Sequence, residues 1–173
     1  MPRNIEIKAR VDDMQALRTL VARIADEGPI AIAQDDTFFR CETGRLKLRS
    51  FSLSSGELIF YRRADRQGPK ESFHVRSPTH SPDTLRESLA LAYGVTGRVV
   101  KQRTLFLVGR TRMHLDEVEG LGHFLELEVV LADDEPAEQG VREAHALMRE
   151  LGLAQEALIE GAYVDLLARS ADP

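Results

Sequence analysis

The sequence predicts an α+β protein built on an antiparallel β-barrel, closed or nearly closed, with a charged interior and helices packed outside. Three observations support this fold class. Five segments alternate apolar and charged residues with the period of two that is typical of strands. Four other segments have the apolar pattern of helices. The charges of the strand segments share one face of each strand, so that a common interior would collect them.

Composition limits the functional classes. The 173 residues are 43% hydrophobic and 29% charged, as in ordinary globular proteins. The net charge of -5 does not favour a protein that coats a nucleic-acid duplex. The single cysteine cannot form an intramolecular disulfide, and neither a signal segment nor a run long enough to cross a bilayer is found. We therefore expect a cytoplasmic protein whose partner is neither a duplex nor a membrane.

Four helical segments limit the architecture. They are residues 12–27, 81–93, 137–151 and a final apolar segment at 155–167. The first has Asp12 or Asp13 as its cap and Gly28 as its stop signal. The second has Pro82 at its first helical position and ends before Gly94. Because the rest of the chain alternates with period two, these helices are expected to pack on a sheet.

The five strand segments repeat one pattern, a specific charged face opposite an apolar face. In the first strand the apolar residues are Ile5 and Ile7. The charged or polar faces consist of Asn4, Glu6 and Lys8; Arg45, Lys47 and Arg49; Lys101 and Arg103; Arg112, His114 and Asp116; and Glu126 and Glu128. If the apolar faces pack against the helices, the charged faces must look into a shared cavity or groove.

The charged faces carry two complementary chemistries. Glu6, Glu126 and Glu128 supply carboxylates that suit Mg²⁺ or Mn²⁺ better than zinc. Six cationic residues offer donors to phosphate oxygens, namely Lys8, Lys47, Arg49, Lys101, Arg103 and Arg112. A polyanion bound together with a divalent cation satisfies both sets. Because the sequence lacks a glycine-rich phosphate loop, side chains would hold the phosphates.

These segments resemble the CYTH superfamily, the triphosphate tunnel metalloenzymes that include class IV adenylyl cyclases, thiamine triphosphatases and inorganic triphosphatases. The family's N-terminal ExExK signature reads NIEIK at residues 4–8, with asparagine in place of the first glutamate. Further matching segments follow in family order at residues 36–39, 45–49, 101–103, 112–128 and 161–167. Since the resemblance spans nearly the whole chain, we expect a single CYTH-like domain over residues 1–173.

The resemblance also implies roles for individual residues. Glu6, Glu126 and Glu128 would hold the metal, and Asp116 would lie nearby for a second metal or the attacking water. Glu6, Lys8 and Asp116 would form the catalytic group. The triphosphate would be bound by Lys8, Lys47, Arg49, Lys101, Arg103 and Arg112. Either Arg62 or Arg63 would add a further phosphate contact, and Asn4 would weaken the binding of a second metal because it carries no negative charge.

Three functions remain open at this level. The first is a Mg²⁺- or Mn²⁺-dependent enzyme that hydrolyses the phosphoanhydride chain of inorganic triphosphate or a nucleoside triphosphate. The second is a class IV adenylyl cyclase that makes cyclic AMP and pyrophosphate from ATP, because residues 101–128 resemble the cyclases. The third is a non-catalytic module that binds polyphosphate or a triphosphorylated ligand. The family often forms homodimers, so a homodimer is also an option.

Several residues allow two interpretations of their role. His114 is either a general base or a wall residue of the tunnel. His74 and Arg76 either face the substrate or belong to a solvated edge strand, and the same holds for Lys70. Asp36 either occupies a family site position or caps a turn, and Tyr163 either closes one end of the barrel or is an ordinary buried tyrosine.

Overall fold

The computed structural model describes residues 2–64 and 67–171. Its eight strands are β1 (Arg3–Arg10), β2 (Glu27–Phe39), β3 (Arg45–Ser52), β4 (Ser55–Arg63), β5 (Lys70–Thr79), β6 (Val95–Val108), β7 (Thr111–Val118) and β8 (Gly122–Val130). They form a closed antiparallel barrel in the order β1-β5-β4-β3-β2-β6-β7-β8, in which β1 pairs with both β5 and β8. The predicted barrel is confirmed, and β2, β4 and β5 join the five strands that the sequence indicated.

The helices are α1 (Met14–Ile24), α2 (Pro82–Tyr93), α3 (Ala137–Glu150) and α4 (Tyr163–Ala171), with a 3₁₀ turn at Gln155–Ala157. The outward apolar face of the barrel packs against them. Ile7 and Leu127 form one core with Val21 of α1 and Leu147 of α3. Because these apolar faces are buried outside the barrel, the alternating polar faces of the same strands point inward. None of the described helices has the length and apolar character needed to cross a membrane.

Two helix predictions needed correction. The first helix is shorter than residues 12–27. It begins after Asp13, whose carboxylate accepts a hydrogen bond from the Ala16 N–H at 2.9 Å, and β2 already starts at Glu27. Gly28 therefore lies within a strand and is not the helix stop. The predictions for α2 and α3 are confirmed to within one residue at each end.

The predicted helix at 155–167 is wrong in its middle. Leu158 forms an isolated β-bridge with Ala9, and the Ile159 N–H donates to the Lys8 carbonyl oxygen at 3.0 Å. The segment therefore adds to the end of β1 instead of continuing a helix. Helix α4 starts only at Tyr163, after Gly161 turns the chain with a φ of +80°.

Candidate active site in the barrel interior

The barrel encloses a cavity of about 650 Å³, including its open mouth. Seven lysine or arginine residues and four carboxylates line it. The cations are Lys8, Lys47, Arg49, Arg63, Arg76, Lys101 and Arg103, and the carboxylates are Glu6, Asp36, Glu126 and Glu128. Apolar and aromatic residues of the wall include Phe38, Ile59, Tyr61 and Val99. The predicted charged interior is thus present and carries more positive than negative groups.

One side of the cavity is organised by Asp36, which is 1% exposed. Its carboxylate accepts hydrogen bonds from Lys47 Nζ and from Arg49 Nε and Nη2, each at 2.8 Å. Burial alone would raise the pKa of Asp36, but the charges of Lys47 and Arg49 hold it well below its usual range. Asp36 lies within β2 opposite Arg49, so it does not cap a turn. Its contacts hold two phosphate-binding candidates side by side.

A second ion pair lies behind the cavity wall. Asp116 is fully buried and accepts from Arg103 Nε and Nη2, each at 2.7 Å. The hydroxyl of Tyr163 donates to Asp116 Oδ2 at 2.8 Å. Both carboxylate oxygens of Asp116 are therefore occupied. Tyr163 is buried with its hydroxyl bonded, as expected for an ordinary buried tyrosine, and it also lines the cavity.

On the opposite side of the barrel, Glu126 and Glu128 of β8 line the cavity, and His114 of β7 is buried next to them without lining it. The Nδ1 of His114 lies 3.9 Å from Glu126 Oε1 and 3.8 Å from Glu128 Oε1, and one ligand atom from each residue lies within 4.8 Å of the others. Among the described residues, His114 Nδ1 and Glu128 Oε2 are buried without a hydrogen-bond partner. Buried polar atoms nearly always have partners, so this cluster fits a divalent cation.

The carboxylates of this cluster differ in their electrostatics. Burial raises the pKa of Glu128, and the neighbouring charge of Glu126 acts in the same direction. Burial also acts to raise the pKa of Glu126, but the ammonium group of Lys8, 3.5 Å away, helps to hold it well below its usual range. Burial lowers the pKa of His114, assisted by the charge of Arg103. A cation would compensate the negative charge of the two glutamates.

Glu6 enters the cavity from β1 but has a different partner. Its Oε2 accepts from Arg63 Nη1 at 2.9 Å, and Arg63 Nη2 donates to the Gly161 carbonyl oxygen at 2.8 Å. Arg63 therefore faces the cavity. The guanidinium of Arg62 lies over the rings of Phe60 and Phe73, at 5.8 Å and 5.5 Å from their centroids. The alternative that sequence parity left open is decided in favour of Arg63.

Burial also affects the lysines. The pKa of Lys8 and that of Lys47 are each lowered to about 8, by burial first and then by the nearby charges of Arg63 and Arg49, respectively. Burial lowers the pKa of Lys101 well below its usual value, with the charge of Arg103 adding to the effect. A bound polyanion would stabilise the charged form of each of these ammonium groups.

The structure brings together most of the residues singled out from sequence. The cavity-lining members of the predicted site are Glu6, Lys8, Lys47, Arg49, Lys101, Arg103, Glu126 and Glu128. Asp116 lies behind Arg103, and Arg112 pairs with Glu128 in the strand register without lining the cavity. His74 and Arg76 line the cavity from β5, so the edge-strand reading is wrong for them. Sequence reasoning missed the role of Asp36 as a partner of cations; the signal that could have revealed it is the alternation of Gln34, Asp36 and Phe38, which share one face of β2.

The protein therefore belongs to the class of closed eight-stranded antiparallel barrels with buried ion pairs and an acidic cluster in the interior. The model of the CYTH domain family matches residues 2–163. The chain belongs to the CYTH family.

Solved structures show the same fold. The PH1012 protein from Pyrococcus horikoshii OT3 is 22% identical with a TM-score of 0.82, covering 95% of this chain and 99% of that one. A candidate adenylate cyclase from Vibrio parahaemolyticus is 21% identical with a TM-score of 0.73, covering 95% and 97%. HpAC1 from Hippeastrum, described as having a dominant triphosphatase activity, is 17% identical with a TM-score of 0.69, covering 100% and 97%. No curated protein matches the sequence significantly.

Proposed function

We propose that this protein is a divalent-metal-dependent enzyme that hydrolyses a phosphoanhydride bond of inorganic triphosphate or of a nucleoside triphosphate. The observation that carries the proposal is that one cavity is lined by more cationic than carboxylate side chains and also contains two neighbouring glutamates, one of which, Glu128, has an unpartnered buried oxygen. A phosphate chain and a divalent cation together satisfy both groups. Such substrates are cytoplasmic metabolites, and we place the protein there.

The basic residues would bind and orient the phosphate chain. Lys47 and Arg49 are already held in place by Asp36, and Arg103 is held by Asp116. Arginine offers a planar fork that matches two phosphate oxygens, and fixed side chains lose little conformational entropy when they bind. Lys8 and Lys101 add charge next to these forks. We therefore assign Asp116 a positioning role through Arg103 and Tyr163, since both of its oxygens are engaged.

The carboxylate side would hold the metal. A divalent cation held by Glu126 and Glu128 would neutralise charge on the phosphate chain and favour in-line attack by water. Glu6 is a further ligand candidate from β1, provided that its carboxylate is shared with Arg63. Asn4 lines the same cavity without a charge, which favours one strongly bound cation over two. Lys8 connects the phosphate-binding residues with the metal-binding carboxylates, because it is one of the former and contacts Glu126 of the latter.

A class IV adenylyl cyclase is the second candidate. The apolar and aromatic wall formed by Phe38, Ile59, Tyr61 and Val99 lies beside the cations and offers a surface for a nucleoside base. In that reaction the ribose 3′-hydroxyl would replace water as the nucleophile. The resemblance of residues 101–128 to the cyclases supports the same reading.

Product analysis distinguishes these candidates. Purified protein is incubated with Mg²⁺ or Mn²⁺ and with ATP or inorganic triphosphate, and orthophosphate, pyrophosphate and cyclic AMP are resolved. Orthophosphate from either substrate supports the hydrolase, and cyclic AMP with pyrophosphate supports the cyclase. The Glu126→Gln variant should lose turnover, whereas Glu117→Gln, which alters an exposed carboxylate on β7, should retain it. Tight triphosphate binding without any product, or turnover that survives EDTA, would refute the metal-dependent enzyme.

A further inference from the structure

We propose that His114 is a direct nitrogen ligand of the cation, completing a site of one imidazole and two carboxylates with Glu126 and Glu128. The mixed ligand set would make the site prefer transition-metal cations such as Mn²⁺ and Co²⁺ over Mg²⁺. The inference rests on the proposed function only in assuming that a divalent cation enters the cavity. It changes the ligand set that the sequence suggested, which consisted of oxygen atoms alone.

The strand register places the three ligands together. His114 lies on β7 directly opposite Glu126 on β8, and Glu128 follows two residues later on the same inner face. A cation about 2.1 Å from each ligand atom separates adjacent ligands by about 3 Å and opposite ligands by about 4 Å. The observed separations of 3.9 Å and 3.8 Å from the imidazole nitrogen fall within that interval.

The Nδ1 atom of the imidazole forms no hydrogen bond of normal length with either glutamate. Separations of 3.8 Å and 3.9 Å are too long for an N–H···O hydrogen bond. His114 is 5% exposed, and its Nδ1 has no partner among the described residues. The Oε2 atom of Glu128 is in the same situation. A cation at the centre of the cluster would be a partner for groups that the protein leaves unpaired.

The contacts of the other carboxylates explain why the cation would bind to these ligands. Glu6 is engaged by Arg63, and Asp116 by Arg103 and Tyr163. The cationic contacts of Glu126 are both on Oε2, with Lys8 Nζ at 3.5 Å and Arg103 Nη2 at 3.9 Å, which leaves Oε1 on the side of His114. The oxygens that face the imidazole are therefore Oε1 of Glu126 and Oε1 of Glu128.

The chemistry of the ligands sets the preference among metals. Mg²⁺ favours oxygen ligands and retains its waters, whereas imidazole is a better ligand for later divalent ions of the first row. An imidazole in the set therefore raises the affinity for Mn²⁺ and Co²⁺ more than the affinity for Mg²⁺. Replacing the imidazole with an amide should reduce the difference between the affinities for these two ions and the affinity for Mg²⁺.

The test uses the full chain without substrate, so that it does not depend on turnover. Calorimetry gives the affinities for Mn²⁺, Co²⁺ and Mg²⁺, and pulsed EPR of the Mn²⁺-loaded protein detects coupling to a directly bound ¹⁴N nucleus. We expect a nitrogen coupling in the wild type and tighter binding of Mn²⁺ than of Mg²⁺. His114→Asn should remove the coupling and weaken Mn²⁺ binding by roughly tenfold or more. The matched control is His123→Asn, which alters an exposed histidine on β8 and should change neither quantity.

Several outcomes would overturn the inference. These are a wild-type protein that binds Mn²⁺ without nitrogen coupling, one that binds no divalent cation, and a His114→Asn variant that keeps both coupling and affinity. If the variant does not fold, as judged by circular dichroism, the wild-type coupling alone still decides. Metal-dependent turnover without coupling would overturn this ligand assignment but leave the proposed function intact. Nitrogen coupling without turnover would support this ligand assignment and overturn the proposed function.

Discussion

Asp36 is a residue on which two buried cations depend. It accepts hydrogen bonds from Lys47 and Arg49 and is itself almost completely buried. Removing one partner of a buried ion pair leaves the other charge uncompensated, at a cost of about 3–5 kcal/mol. We expect Asp36→Asn to lower the free energy of unfolding by about that amount in urea titrations.

The matched control for Asp36 is its neighbour on the same strand. Asp35 pairs with Arg98, whose side chain is 64% exposed, and exposed ion pairs contribute at most about 1 kcal/mol. Asp35→Asn should therefore shift the urea midpoint only slightly. Equal losses of stability in the two variants would contradict the role assigned to Asp36.

Lys47 should impose an upper pH limit on substrate binding. Its pKa is lowered to about 8, so above that pH it loses the positive charge that would contact phosphate. Lys8, whose pKa is also lowered to about 8, loses a second positive charge over the same pH range. Since carboxylate ligands must be ionised to bind metal, activity should rise from acid pH, reach its maximum below pH 8 while both lysines are still protonated, and fall as they lose their protons.

Lys47→Arg tests this limit because arginine stays charged throughout the range. In the wild type, log(kcat/KM) should fall above pH 8 with a slope that approaches about −2, and in the variant with a slope of about −1. The measurement is a pH profile of initial rates. Identical profiles for both proteins would show that Lys47 does not titrate in this range.

At the residue scale, strand parity was sufficient to place most of the cavity wall. Lys47 and Arg49 could be assigned to the inner face because side chains alternate along a strand and the apolar Leu46 and Leu48 take the other face. Parity did not reveal that Asp116 is buried behind Arg103 or that Arg63 engages Glu6. Those pairs depend on the register between strands that are distant in sequence, which a single sequence does not specify.

Helix α4 is the element that fixes one wall of the cavity. Arg45 Nη2 contacts Asp165 Oδ2 at 2.6 Å, and Val164 packs against Gly97 of β6. A Cβ atom added at Gly97 would lie 2.3 Å from Val164 Cγ2. We expect Gly97→Ala to displace α4, to lower the free energy of unfolding by about 1–3 kcal/mol, and to loosen the contact between Tyr163 and Asp116. Chemical denaturation and kcat/KM are the measurements.

A compensating substitution separates a local clash from a general loss of stability. Val164→Ala removes the clashing methyl group but is itself destabilising because it leaves a small cavity. If Gly97 and Val164 meet as described, the double variant should be more stable than the sum of the two single losses predicts, by at least about 0.5 kcal/mol. Additive losses would argue against this contact.

At the element scale, sequence patterns succeeded where one face of an element is uniform. Strand β1 alternates cleanly, and helix α3 has a regular apolar stripe, so both were predicted correctly. The segment at 155–167 is predicted as one helix because most of its residues are apolar. In the structure its apolar side chains belong to separate clusters, with Leu158 in one core and Ala162 in another. Tertiary packing therefore overrode a weak local pattern.

The whole molecule separates its charges between interior and surface. The chain has a net charge of -5, yet the cavity is lined by seven lysine or arginine residues and only four carboxylates. A small polyanion can reach the cationic interior, whereas a rigid duplex is restricted to the outside of a protein whose net charge has the same negative sign as its own. The molecule should therefore distinguish phosphate chains by size as well as by charge.

This separation predicts which anions stabilise the protein. A ligand present at 100 times its Kd stabilises the folded state by about 2.7 kcal/mol, which corresponds to about 5–10 °C in Tm for a chain of this length. We expect inorganic triphosphate at such a concentration to produce that shift in thermal unfolding, and a DNA duplex at the same phosphate concentration to produce none. Lys101→Gln, which removes a buried cation of the cavity, should reduce the shift. Equal stabilisation by duplex and triphosphate would place the binding surface outside the barrel.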